Sequence, residues 1–325
     1  MGFTDFDKVR ANLVQADQFI GASMVTQGNI WYVRPGTGSD TLDGTSPSTA
    51  FATLAKALAK ATANQNDVVY LMAESNTAAD TTDYQATALD WNKDGVHIIG
   101  IGSAPMIGQR SRIAQLSTVK TIEDLFTVSA DNCLIANIEV FHGVASGTQT
   151  AGRAMVVSGQ RNRIVNCQIS GIGDSSFDDA GARSLAVTGA ENTFQHCYIG
   201  LDTVIRATAQ AEVTVGDVAR TIFEDCFFNT YTSADGFLMV KYSAPDRFIL
   251  FKNCTFSAIN NITSATAPAA ALSAGTSVNG QIMIQGSSFF GFDNVIASTD
   301  AKVLMSSFAA GVGVDQGLGG STTIS

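Results

Sequence analysis

Between residues 125 and 256, apolar and polar positions alternate in short runs, and the runs recur. Asn132-Cys-Leu-Ile-Ala-Asn-Ile-Glu-Val140, Asn162-Arg-Ile-Val-Asn-Cys-Gln-Ile-Ser170 and Asn192-Thr-Phe-Gln-His-Cys-Tyr-Ile-Gly200 align without gaps at a spacing of thirty residues. Shifted copies follow at 221–228 and 248–256, and weaker ones at 282–289 and 303–308. Reading down the copies gives one column of Ile138, Cys167, Cys197, Cys226, Cys254, Ser287 and Ser306. A second column, two residues further on, holds Val140, Ile169, Ile199, Phe228, Phe256, Phe289 and Phe308. Residues two apart on a strand point the same way, so both columns are expected to face one interior. A free Cys behaves there as a small buried hydrophobe.

A second apolar strand precedes each Asn, at 125–129, 154–158, 185–188, 213–215 and 237–240. A unit of two or more strands that closes in about thirty residues leaves no room for a crossover helix in every repeat. The pattern therefore predicts stacked parallel strands, a solenoid of about eight rungs and roughly 40 Å. Asn132, Asn162 and Asn192 are expected at the sharp turns, where Asn tolerates left-handed backbone and can bond from rung to rung.

Ahead of the repeats, Trp31-Tyr-Val-Arg-Pro-Gly-Thr-Gly-Ser-Asp-Thr-Leu-Asp-Gly-Thr-Ser-Pro47 reads as a strand followed by a turn cluster. Phe51, Leu54, Ala57, Leu58 and Ala61 form the apolar face of a short helix, and Asp67-Val-Val-Tyr-Leu-Met72 opens the next strand. This order resembles the entrance of pectate-lyase-like right-handed parallel β-helix proteins, in which a helix closes the open end of the solenoid. The resemblance covers about 45 residues, and extends to the bacteriophage virion and tailspike-type proteins built on this fold. The fold it implies is all-β, a single-stranded right-handed parallel β-helix solenoid with a short N-terminal capping helix. The chain divides into an arm at 1–30, the entrance and cap at 31–66, the β-helix at 67–310 and a tail at 311–325.

Composition agrees with a β-rich chain. Of 325 residues, 45% are hydrophobic but only 15% charged, with 30 Gly against 5 Pro. The net charge of −10 and the scattered 19 Lys and Arg argue against nucleic acid as a partner. No apolar stretch reaches the length of a membrane span, and residues 1–20 lack the pattern of a secretory signal, so synthesis in a host cytoplasm is expected. The five cysteines are widely spread with no CxxC pair, and neither a disulfide framework nor a zinc site is expected.

Few residues invite chemistry. The insert Gly173-Asp-Ser-Ser-Phe-Asp-Asp-Ala-Gly-Ala-Arg183 carries Asp174, Asp178 and Asp179 with Arg183, the candidate catalytic cluster if the protein is an enzyme. Otherwise it is a solvated turn. Glu139, Gln168 and Tyr198 form an outward column that reads as a solvated sheet face. His97, His142 and His196 share no spacing with carboxylates that would suggest a metal site, and Asp40, Asp43 and Gly44 read as a turn. No cofactor and no metal are expected. The principal expectation is a non-catalytic bacteriophage virion structural protein, a capsid decoration or head-surface component. It is expected to form a trimer and to meet other virion proteins through residues 1–30 and the tail. The alternative is a tailspike-like glycan-degrading enzyme, a polysaccharide lyase or hydrolase, or an adhesin that binds a host surface glycan.

Overall fold

A computed structural model describes residues 28–310 apart from 74–81, 103–106, 109–110, 144–151, 217, 235, 244–245, 261–266, 269, 274–279, 298–302 and 307–308. The tail at 311–325 and nearly all of the arm at 1–30 lie outside the described residues.

Three parallel sheets of ten, nine and seven strands run side by side. Sheet I includes Ile30–Val33, Leu134–Ala136, Arg163–Val165 and Thr193–Gln195. Sheet II includes Glu139–Phe141, Gln168–Ser170, Tyr198–Arg206 and Phe227–Thr232. Sheet III includes Asp124–Val128, Arg153–Val157, Arg183–Val187, Ala211–Val215 and Leu238–Tyr242. Through the repeat region each circuit of the chain takes one strand from each sheet, which makes the molecule a right-handed parallel β-helix with three strands to the rung.

The interior is built of stacked identical positions. In sheet I, Ile135, Ile164, Phe194, Phe223 and Phe251 lie over one another in register. Val140, Ile169, Ile199, Phe228, Phe256 and Phe289 do so in sheet II. All of these are fully buried or nearly so. The rungs are close enough for the rings to stack face to face: Phe194–Phe223 at 4.8 Å, Phe228–Phe256 at 4.6 Å and Phe256–Phe289 at 4.6 Å between centroids. Strand spacing sets these distances, so the parallel offset stack is imposed by the backbone.

The corners explain the polar columns. Between sheets I and II the chain turns through one left-handed residue per rung: Asn137, Asn166, His196, Asp225, Asn253 and Gly286, with φ of 59°, 53°, 52°, 54°, 54° and 62°. The next residue in four of those rungs is a cysteine, buried and unpaired by any disulfide. Each such thiol donates to a carbonyl of the preceding rung: Cys167 to Ile135, Cys197 to Ile164, Cys226 to Phe194 and Cys254 to Phe223, at 3.4–3.6 Å. Ser287 continues the column with a hydroxyl bond to Phe251 at 3.4 Å. The column therefore selects a small donor that also packs.

At the corner from sheet III back to sheet I, the expected Asn ladder needs one correction. Asn132 is left-handed, but in the next two rungs that conformation falls on Arg161 and Glu191, just ahead of Asn162 and Asn192. The register pairs Leu134 with Arg163, so the step there is 29 residues rather than thirty. Asn162 and Asn192 are buried and bond from rung to rung: Asn162 Oδ1 accepts from Cys133 N at 2.7 Å, and Asn192 Oδ1 accepts from Asn162 N at 2.9 Å. Asn192 Nδ2 donates to the Gly159 and Gly189 carbonyls, both at 2.9 Å. The backbones approach so closely there that a Cβ on Gly189 would lie 1.9 Å from the Gly159 oxygen.

The capping helix spans Leu54–Lys60 and buries Leu54, Ala57 and Leu58. Thr53 caps it by accepting from Lys56 N at 3.1 Å. The carboxylate of buried Asp83, in the first strand of sheet II, accepts from Leu54 N at 2.8 Å and ties the helix to the solenoid.

Candidate functional site

The three kinds of corner differ in how much chain they allow. From residue 137 on, the turn from sheet I to sheet II is two residues, and between residues 128 and 248 that from sheet III to sheet I is five. The connection from sheet II to sheet III holds residues 171–182 in one rung, and 207–210 and 233–237 in the next two. The stretch 171–182 is long enough to build a surface feature. The connections pack on each other through a second apolar cluster of Ile172, Phe177, Ala182, Ala209 and Phe237.

Asp174, Asp178 and Asp179 lie in this region, each bonded to loop backbone. Asp174 caps the turn Ser175–Phe177, accepting from Ser176 N at 3.0 Å. Asp179 accepts from Gly181 N at 3.3 Å. Asp178 reaches the next rung and accepts from three successive backbone N–H groups, Ala207 and Thr208 at 2.8 and 2.9 Å and Ala209 at 2.8 Å. Arg183 is buried, donates to the Ala180 and Ala182 carbonyls, and has its pKa lowered by burial. What the sequence placed together as a cluster thus holds the connections in shape.

Beneath them lies a network that sequence reading missed. Arg206 and Glu212 are both fully buried and form an ion pair at 3.2 Å. Arg206 also donates to the carbonyls of Val204, Ile172 and Gly171 at 2.6, 3.4 and 3.1 Å. The Glu212 carboxylate accepts from Thr230 Oγ1 at 3.0 Å and from Ser184 Oγ. One guanidinium therefore ties two successive connections to sheet III. Its only advance signal was a carboxylate inside the apolar run Ala211-Glu-Val-Thr-Val215.

At the rim of sheet III, Arg153 stacks in register on Asp124 and under Arg183. Arg153 Nε and Nη2 reach the two carboxylate oxygens of Asp124 at 2.5 and 2.8 Å, a bidentate pair. Their side chains are 33% and 28% exposed, so solvent reaches this charge pair as it does not reach Glu212. The spacing Asp124–Arg153–Arg183, 29 and then 30 residues, is legible in the sequence once the period is known.

His142 directly follows the sheet II strand Glu139–Phe141. It is fully buried, its Nε2 sits 2.9 Å from the Ile122 carbonyl, and Phe177 packs edge-on at 5.3 Å. Burial pulls its pKa down to about 4. His97 Nδ1 accepts from Leu134 N at 3.1 Å, and His196 lies 3.8 Å from Asp225. Among the described residues no group of three His, Cys, Asp or Glu is placed to hold a metal ion.

The column Glu139, Gln168, Tyr198 departs from expectation. All three are buried, at 6–7% exposure, rather than solvated. Gln168 Oε1 accepts from Gly108 N at 2.7 Å, Glu139 pairs with Arg112 at 3.7 Å, and Tyr198 stacks on Phe227 at 5.5 Å. A loop and neighbouring side chains cover this part of sheet II.

A cavity of about 260 Å³ opens beside the second and third strands of sheet III counted on from that of Arg153. It is lined by Thr208, Ala209, Gln210, Ala234, Gly236, Leu238 and Lys241.

No family model matches this sequence, and no curated protein does. Solved structures do. The fold is similar to that of pectate lyase Pel9A, at 14% identity and TM-score 0.52 over 88% of this chain and 79% of that one. A pectin methylesterase mutant in complex with a hexasaccharide is similar at 15% and 0.53 over 92% and 94%. Rice weevil pectin methyl esterase is similar at 14% and 0.50 over 81% and 87%. These likenesses correct the principal functional expectation. These three structures, which share the fold along most of this chain, are a pectate lyase and two pectin methylesterases, which turns the reading from a non-catalytic virion protein towards the glycan-degrading alternative. At this identity the likeness itself is one of fold: the chain is a pectate-lyase-like right-handed parallel β-helix.

Proposed function

We propose that the protein is a polysaccharide-degrading enzyme that works on a chain lying along sheet III, beside the connections from sheet II. The observation that carries this is the solvent-reached Asp124–Arg153 pair at the edge of sheet III, on the side of the long connection 171–182. The names of the structural neighbours support a glycan as substrate.

The same pair favours elimination over hydrolysis. Hydrolysis of a glycosidic bond ordinarily takes two carboxyl groups facing the sugar. The second carboxylate on this part of sheet III, Glu212, is fully buried and paired with Arg206. Elimination at a uronate takes one base and one cation. Asp124 removes the proton beside the sugar carboxylate, Arg153 balances the negative charge that develops on it, and the glycosidic C–O bond breaks to leave a ring double bond, the departing oxygen taking a proton from the water that reaches this pair to become a hydroxyl.

Incubation with a panel of uronate-containing polysaccharides, followed by the ultraviolet absorbance of the unsaturated product, tests this. Product is expected with the native protein, and Asp124→Asn is expected to lower the rate by roughly 10²-fold or more. Absence of product from every member of the panel overturns the proposal.

A further inference from the structure

His142 takes no part in the chemistry above, yet its ring is packed against the entries of the two strands that perform it. The ring is wholly buried, and three segments close on it. Its Nε2 lies 2.9 Å from the carbonyl of Ile122, two residues ahead of Asp124. Gly152, the residue before Arg153, has no room for a side chain beside the ring: a Cβ there would lie 3.0 Å from Cε1 and 3.3 Å from Nδ1. Phe177 meets the ring edge-on from the connection that follows the next strand of sheet II. The His142 backbone is pinned as well, its N donating to the Ser170 carbonyl at 2.9 Å and its O accepting from Gly173 N at 2.8 Å.

What the ring supplies here is a donor rather than bulk. A carbonyl oxygen only accepts, so the proton sits on Nε2 and the neutral ring is held in that tautomer. Nδ1 is left with a lone pair that is buried and, among the described residues, without a partner. A leucine would fill the same space with no orphaned nitrogen, and burying an unpaired polar atom is unfavourable. The cost of Nδ1 is offset by what the opposite nitrogen holds.

That hydrogen bond reaches the reacting pair through one short stretch of backbone. The carbonyls of Ile122 and Glu123 are fixed in turn, the first by His142 and the second by Arg153 N at 2.6 Å. Asp124 follows at once as the first residue of its strand, in register with Arg153, the first residue of the next. We infer that His142 is a positioning residue for the elimination: through the Ile122 carbonyl it holds Asp124 at the height where its carboxylate meets both donors of Arg153. It does so without touching the sugar. This rests on the proposed function, since it takes Asp124 and Arg153 as the reacting pair. A displacement of about 1 Å at such a contact costs about 10²-fold in rate.

The test compares the native protein with His142→Leu, His142→Asn and His142→Gln on whichever polysaccharide is processed. His142→Leu removes the donor, and His142→Asn leaves it one bond short of Ile122. His142→Gln places an amide nitrogen as many bonds from Cα as Nε2 stands. Rates are taken per folded molecule, from circular dichroism at the assay temperature; should His142→Leu not fold, His142→Asn carries the comparison. In the first two variants kcat is expected to fall about ten-fold or more, with KM within about two-fold of native. In His142→Gln it is expected to return to within about three-fold of native. The Arg153 Nε–H resonance of nitrogen-labelled protein, assigned by its loss in Arg153→Lys, is expected to move in the slow variants and return in His142→Gln. A kcat that stays native, a loss that His142→Gln shares, a change confined to KM, or an unmoved Arg153 resonance overturns the positioning role and leaves the proposed function standing. Absence of product from the native protein on every polysaccharide of the panel overturns both.

Discussion

Single residues differ sharply in what they contribute to this solenoid. Arg206 and Glu212 are the most consequential polar side chains, because neither touches water and each satisfies the other. Removing one leaves a buried charge alone, which costs about 3–5 kcal/mol. Glu212→Ala is therefore expected to lower stability by that amount in denaturant titration, while the pair replacement Arg206→Met with Glu212→Leu recovers most of it. A double variant as unstable as the single one would show that the network's neutral hydrogen bonds, rather than the charge, dominate. The cysteine column is the opposite case. Burial pushes the Cys167 and Cys226 thiols up and Cys133 up to about 11, so none of these three is a thiolate at neutral pH. No reaction with a thiol-directed reagent is expected until the protein is unfolded, when five thiols titrate; modification of the native protein at neutral pH would contradict the buried ladder. The cysteines were legible in the sequence because they repeat. Glu212 was not, because a buried ion pair occurs once and nothing in the period announces it.

The elements show why some of the fold could be read and some could not. Strands and their inward faces follow from alternation and period, and the capping helix from five apolar positions, all of which the structure buries. The left-handed corner between sheets I and II was less visible. Asn137, Asn166, His196 and Asp225 occupy it in successive rungs. All three residue types tolerate left-handed backbone, so the corner carries no single repeated letter to follow. The connections from sheet II to sheet III are the hardest element to read, since their acids serve the loops themselves. Asp178 is the clearest instance, a carboxylate filling a nest of three backbone amides in the next rung. Asp178→Ala leaves those amides to water and is expected to cost about 1–2 kcal/mol. The loss should be local, so limited proteolysis is expected to cut first within 201–210, and unchanged cleavage there would remove Asp178 from this role.

For the whole molecule, two buried titrating groups far apart in the sequence set opposing slopes of stability with pH. Asp83, under the capping helix, has its pKa raised by burial to about 6, against about 3.9 in an unfolded chain. Its carboxyl is best tolerated when neutral, so its contribution is full below about pH 4 and is lost as pH rises to 6. His142, beside the first of the sheet II to sheet III connections, has its pKa lowered by burial to about 4, against about 6.5 unfolded. It is best tolerated neutral too, but neutrality for imidazole lies on the alkaline side, so its contribution is full above about pH 6.5 and is lost as pH falls to 4. Each shift is about two units, or roughly 3 kcal/mol, over nearly the same window. Asp67, Glu191 and Glu224 have lowered pKa values and withdraw their support only below the ordinary carboxylate range, outside that window. His97, also lowered by burial, adds to the His142 side, so the native protein is expected to change less with pH between 4 and 6.5 in denaturant titrations than a variant that lacks Asp83. Asp83→Asn removes one slope and uncovers the other: stability should then rise by roughly 3 kcal/mol from pH 4 to 6.5. His142→Asn uncovers the reverse, a fall as pH rises that His97 partly offsets. If neither variant differs from the native protein in its slope, neither group titrates where its burial places it, and water reaches both the space under the capping helix and the contact of Phe177 on His142.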